Sequence, residues 1–71
     1  MALVRMVNQI AVNVAHHPPD QAEAEIAAHL RSFWAPSMRA ELVAYLDVGG
    51  FDLTPLAAAA TEQLRAGDAK P

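Results

Sequence analysis

A proline two residues after the only tryptophan constrains this chain more than any other feature, because it forces a corner between two helices. The sequence places Phe33 and Trp34 directly before Ala35 and Pro36. Proline lacks a backbone N–H, its ring crowds the preceding turn, and it pushes the residue before it toward an extended conformation. We therefore predict that one helix ends at the aromatic pair and that the next begins at Pro36.

Hydrophobic residues spaced by three and four predict helices along the rest of the chain. In the first helix this apolar face holds Leu3, Val7, Ile10 and Val14, with Met6 and Ala11 beside it. The predicted helices cover Ala2 to about Val14, Gln21 to Phe33, Pro36 to about Val48, and Pro55 to about Arg65.

No stretch shows the alternation of a β-strand, so we predict an all-α fold, a small bundle of about four short helices with Pro- and Gly-defined corners. Residues 1–66 would form a single domain, and residues 67–71 a polar tail.

Local signals indicate where three of these helices begin or end. Asp20 has Glu23 three residues later, which predicts an N-cap with a capping box at the start of the second helix. The Gly49-Gly50 pair predicts the end of the third helix, because glycine readily takes a left-handed conformation. Thr54 before Pro55 predicts the N-cap and first position of the fourth helix.

The small size of the chain suggests that a partner stabilises it. A domain of 71 residues buries a smaller share of its surface than a larger one and is marginally stable alone. The absence of cysteine excludes disulfides and an iron–sulfur cluster held by this chain. The net charge of −3 argues against nucleic-acid binding, and no apolar run is long enough to span a membrane. We expect a cytoplasmic protein.

The residue types that perform catalysis or bind metals do not form a recognisable pattern here. His16 and His17 are adjacent in a proline-rich linker, and His29 lies a helix away, so their spacing does not fit a zinc site. Ser37 and Thr54 are better explained as helix-start residues than as nucleophiles. The sequence therefore predicts no catalytic, cofactor-binding or metal-binding residue in this chain.

The aromatic corner remains the candidate functional site, with two interpretations. Phe33 continues the predicted buried face of the second helix, which also holds Ala22, Ile26 and Leu30, with His29 at its edge. Trp34, one position on, is rotated by about 100° toward another face. Trp34 either fills the core or anchors a partner, and tryptophan and arginine are common at the centres of interfaces. The rotation favours docking or coverage of the helix junction.

Three segments together resemble one known family. Residues 3–11 resemble the opening motif of the delta subunit of NAD-dependent, molybdenum-containing formate dehydrogenases. The segment His29–Arg39, with its F-W-x-P-x-M-R pattern, resembles the central motif of that family. Gly49–Leu56 and the alanine-rich helix after it are similar to the closing element.

The resemblance implies a non-catalytic accessory subunit that docks on the catalytic alpha subunit and supports assembly, molybdenum-cofactor insertion or stability. The beta and gamma subunits and a cofactor-insertion chaperone are further candidate partners. The complex is expected to hold bis-molybdopterin guanine dinucleotide, iron–sulfur clusters, FMN and NAD, all on other subunits. The residues expected to bind the partner are Arg5, Asn8, Gln9, His29, Phe33, Trp34, Pro36, Met38 and Arg39.

In this interpretation Phe33 and Trp34 are buried anchors and Met38 is an adaptable filler. Arg39 pairs with a carboxylate or carbonyl groups of the partner, because its planar fork suits such bidentate contacts.

Two other functions compete with this interpretation. The first is a self-associating small helical protein-interaction module, with the alanine-rich face of the fourth helix as the seam between copies. The second is a small antitoxin-like regulator with a peptide or nucleic-acid target, which the acidic balance disfavours.

Overall fold

Four helices account for most of the computed structural model, which describes residues 2–68. No strand occurs in that part of the chain, so the predicted all-α fold is confirmed. The helices pack into a globule with a Cα radius of gyration of 10.9 Å. Their bounds are α1 Ala2–Val14, α2 Pro19–Phe33, α3 Pro36–Asp47 and α4 Pro55–Asp68.

The start of α2 differs from its prediction. The helix begins at Pro19, with Pro18 as the N-cap and no side-chain hydrogen bond at the cap. The backbone N–H of Ala22 donates to the Pro18 carbonyl at 2.9 Å, and a proline at the first position has its φ set for the helix already. Asp20 therefore lies inside the first turn, and the predicted capping box with Glu23 is wrong.

The end of α3 is the predicted glycine stop. The Gly50 N–H donates to the Tyr45 carbonyl at 3.0 Å, and the Gly49 N–H donates to the Leu46 carbonyl at 3.1 Å. These two bonds form a Schellman motif, in which the chain turns back over the last helical carbonyls. Gly50 has a φ of 61°, which lies in the left-handed region that favours glycine.

The predicted cap of α4 is also confirmed. The Ala57 N–H donates to the Thr54 hydroxyl oxygen at 3.2 Å, and Pro55 occupies the first helical position. The helix then continues to Asp68, past the predicted end at Arg65. The rest of the predicted polar tail, residues 69–71, lies outside the described residues.

The core lies between all four helices, and α2 and α4 form the most extensive pair. On α1 the buried face is shifted from its prediction, because Val4 is buried and Met6 is exposed.

Ala57 and Ala60 of α4 are completely buried. The alanine-rich face is thus already in the core of the chain and is not available as a seam between two copies. The buried core cluster comprises Val7, Ala11, Ile26, Leu30, Trp34, Leu42, Ala57, Ala60 and Leu64.

Candidate partner-binding surface

The corner between α2 and α3 buries Trp34 and exposes Phe33, although Phe33 was predicted to lie on the buried face of α2. Trp34 is the C-cap of α2, and its backbone is extended, with φ −93° and ψ 140°. Its N–H still donates to the Leu30 carbonyl at 3.0 Å, but the change of backbone direction turns the indole into the core, where 6% of the residue is exposed. Of the two interpretations of Trp34, the structure supports the core one.

Phe33 is the aromatic residue that faces outward. It is 76% exposed, so its predicted place on the buried face of α2 is wrong. Its ring lies against His29, one turn earlier on the same helix, with ring centroids 4.8 Å apart and planes tilted by 37°. Phe33 and His29 therefore form an exposed pair of rings at the corner.

Arg39 is engaged inside the chain. Its Nη1 donates to the Trp34 carbonyl at 3.1 Å and to the Arg31 carbonyl at 3.2 Å. Both acceptors belong to the end of α2, where carbonyl groups lack helical partners and the helix dipole attracts a cation. Arg39 is half-buried in this position and caps α2, a contact that differs from the expected pairing with a partner.

The neighbouring corner residues are divided between core and surface. Met38 is half-buried and packs against the core cluster, and Pro36 is exposed as the first residue of α3.

Pro36 also lines a depression between α3 and α4, of about 470 Å³, that includes Arg65. Arg65 forms ion pairs with Asp47 and Glu62 at this place. The hydrogen bond to Glu62 and the two negative charges raise the pKa of Arg65, while partial desolvation opposes them.

The three polar residues expected to bind a partner from α1 have different roles. The Asn8 amide donates from Nδ2 to the Asp52 carbonyl at 2.7 Å, and its Oδ1 accepts from the Thr54 N–H at 3.1 Å. Asn8 thus fastens α1 to the loop before α4. Arg5 and Gln9 are exposed on the outer side of α1. Whether either contacts a partner stays a prediction.

Large apolar residues that the sequence analysis did not single out are also exposed. Val12 on α1 is 64% exposed and Val48 at the end of α3 is 73% exposed. Phe51, in the loop before α4, is exposed as well. The exposure of Val12 could have been predicted from the sequence, because this valine lies among the polar positions of α1.

The described residues bring no group of three histidine, cysteine or acidic side chains together as a metal ion would require. None of the helices within residues 2–68 is both long and apolar enough to cross a membrane. The exposed large apolar residues Val12, Phe33 and Phe51 lie on α1, at the end of α2 and in the loop before α4.

The chain matches a known protein family over most of its length. The family model described as NADH-dependent formate dehydrogenase delta subunit FdsD matches residues 2–61 of the 71-residue chain. The matched segment contains α1, α2, α3 and the first half of α4. Comparison with curated proteins and with solved structures found no match.

Proposed function

The chain belongs to the family of NADH-dependent formate dehydrogenase delta subunits, and on that premise we propose that it is an accessory subunit that docks on the catalytic alpha subunit. The observation that carries the proposal is the match over residues 2–61, which spans three helices and half of the fourth. The beta and gamma subunits and a cofactor-insertion chaperone are secondary partners in this proposal, and the complex is cytoplasmic.

The exposed surface of the chain supports a docking role. Phe33 and Val12 are largely exposed on helices whose opposite faces pack the core. Such apolar side chains lose contact with water when a partner covers them, which favours association. A subunit that binds the folded form of its partner, and not the unfolded form, stabilises it by mass action, by about 2.7 kcal/mol when its free concentration is 100 times the Kd.

The redox chemistry belongs to other subunits in this proposal. We propose that the molybdenum cofactor, the iron–sulfur clusters, FMN and NAD are bound by those subunits. An iron–sulfur cluster needs thiolate ligands, and this chain has no cysteine. The contribution of this chain is a binding surface that holds the partner in its assembled conformation.

Affinity purification of the tagged chain from its native host tests the proposal. We expect the chain to recover a formate dehydrogenase, identified by mass spectrometry, with molybdenum and iron in the eluate. Recovery of the chain alone, folded and free of metal, would contradict it.

Deletion of the gene for the chain then separates two roles. If the chain supports cofactor insertion, the enzyme purified from the deletion strain assembles with less molybdenum. If the chain stabilises the finished complex, the molybdenum content is unchanged and the unfolding temperature is lower.

A further inference from the structure

A groove formed by neighbouring depressions runs along α1, beside the start of α4. Three adjoining depressions of about 290, 330 and 320 Å³ form it. Val12 and Thr54 line both the first and the second depression, and Ala15, Pro55 and Leu56 line both the second and the third. We call this concavity, defined by these five residues, the α1–α4 groove.

The two ends of the α1–α4 groove carry opposite charges. Arg5 lines the depression at one end and is exposed. Glu23 of α2 lines the depression at the other end, where one carboxylate oxygen accepts from the Gln63 Nε2 at 3.0 Å. The distance along α1 from Arg5 to Ala15 is about 15 Å, which is the length of about three turns of a helix.

The α1 wall of the groove has few charged residues. Arg5 is the only charged residue of α1, and the helix contains no acidic residue and no lysine. Interface cores are depleted in lysine, aspartate and glutamate and enriched in arginine relative to other surfaces. Val12, which lines two of the depressions, is an apolar side chain already exposed to water.

These features fit one kind of occupant. The groove is about three turns long, and its middle depression is lined mainly by apolar residues, including Ala11, Val12 and Leu56. Such a concavity suits the apolar face of an amphipathic helix. The carboxyl-terminal end of a helix carries partial negative charge and the amino-terminal end carries partial positive charge. A helix that lies antiparallel to α1 therefore places its negative end at Arg5 and its positive end at Glu23.

We propose that the α1–α4 groove binds an amphipathic helix of another subunit of the formate dehydrogenase complex, antiparallel to α1, with a carboxylate facing Arg5. The inference rests on the proposed function, and it names the surface through which the chain docks. Every residue that lines the groove lies within the segment matched by the family, residues 2–61. The depression between α3 and α4, by contrast, depends on Arg65, outside that segment.

A matched pair of substitutions tests the groove. Val12→Asp places a charge on its wall, and Val48→Asp makes the same change at a similarly exposed valine that lines none of the three depressions. The readout is the Kd of each purified variant for a formate dehydrogenase complex from a strain that lacks the chain, with circular dichroism to verify helicity. We expect Val12→Asp to raise the Kd at least tenfold and Val48→Asp to change it by less than twofold.

The charged end is tested in the same assay. Arg5→Glu raises the Kd, Arg5→Lys largely preserves it, and the difference between the two shrinks as salt screens the contact. A photo-cross-linking residue at position 9 identifies the occupant by mass spectrometry of the linked peptide. We expect a helical segment with an apolar face and an acidic residue near the end at Arg5.

The outcomes distinguish the groove from the function. Binding of Val12→Asp with the Kd of the unmodified chain would overturn the groove proposal, as would cross-links from position 33 with none from position 9. If the unmodified chain does not bind the complex at all, the proposed function fails, and this inference fails with it.

Discussion

Replacement of each of the two adjacent aromatic residues by alanine should lower stability by very different amounts. Trp34 is 6% exposed, and Phe33 is 76% exposed. A tryptophan buries up to about 250 Å². At about 25 cal/mol per Å², its transfer from water contributes up to about 6 kcal/mol. Because the surrounding core partly relaxes, we expect Trp34→Ala to lower the free energy of unfolding by about 3–5 kcal/mol.

That loss is large for a chain of this size. Domains are stable by about 0.05–0.15 kcal/mol per residue, which corresponds to about 4–11 kcal/mol for this chain. Trp34→Ala should therefore remove about a quarter or more of the stability. Phe33→Ala should cost less than about 1 kcal/mol, since it removes an exposed ring and its contact with His29.

Urea unfolding followed by far-UV circular dichroism measures both variants, with the unfolding midpoint as the readout at a constant slope. The unmodified chain and Phe33→Ala should unfold at similar urea concentrations, and Trp34→Ala at a much lower one or without a folded baseline. Equal or greater destabilisation by Phe33→Ala would refute the placement of the two rings.

Three further substitutions test contacts that join the helices. Arg39→Ala should lower the free energy of unfolding by about 1.5–3 kcal/mol, because the α2 carbonyls lose a charged donor, and Arg39→Lys should recover part of it; urea unfolding measures both. Asn8→Ala should cost about 1–3 kcal/mol by the same measurement, since the Thr54 N–H and the Asp52 carbonyl lose their partner. Alanine is favoured over glycine in a helix by about 1 kcal/mol, but Gly67→Ala should raise the free energy of unfolding by less than this, because the new Cβ would clash with the Arg31 guanidinium. In an Arg31→Ala background the full increase should return. A double-mutant cycle of the two substitutions measures this difference.

The helices could be predicted from the sequence because their signals are local. Pro36, the glycine pair and the Thr54-Pro55 step each act within one turn of chain, and the structure has helix boundaries at all three. The predicted start of α2, Gln21, was wrong by two residues. The helix begins at Pro19, because a proline at the first position needs no side-chain cap.

The exchange of Phe33 and Trp34 could not be predicted from periodicity. Successive side chains are rotated by 100° only while the backbone is helical. At Trp34 the backbone is extended, so this rotation no longer applies. The predicted and observed ends of α2 are both Phe33. Phe33 and Trp34 follow the buried Leu30 by three and four positions, so helical spacing alone allows either ring to enter the core. Arg39 carried a usable signal, since an arginine soon after a helix end can cap its carbonyls.

The contacts of Asn8 and the α1–α4 groove carried no local signal. Asn8 bonds to residues 44 and 46 positions away, and the groove exists only once α1 packs beside the start of α4. Both depend on how the helices pack together, which hydrophobic spacing within one helix does not specify.

Native mass spectrometry of a reconstituted complex would show whether the chain is a subunit. The purified chain is titrated into a formate dehydrogenase isolated from a strain that lacks it. We expect the mass of the complex to rise in whole steps of 7.6 kDa and to stop at a fixed stoichiometry. A complex whose mass does not change at micromolar chain, with the chain itself folded, would contradict its role as an accessory subunit.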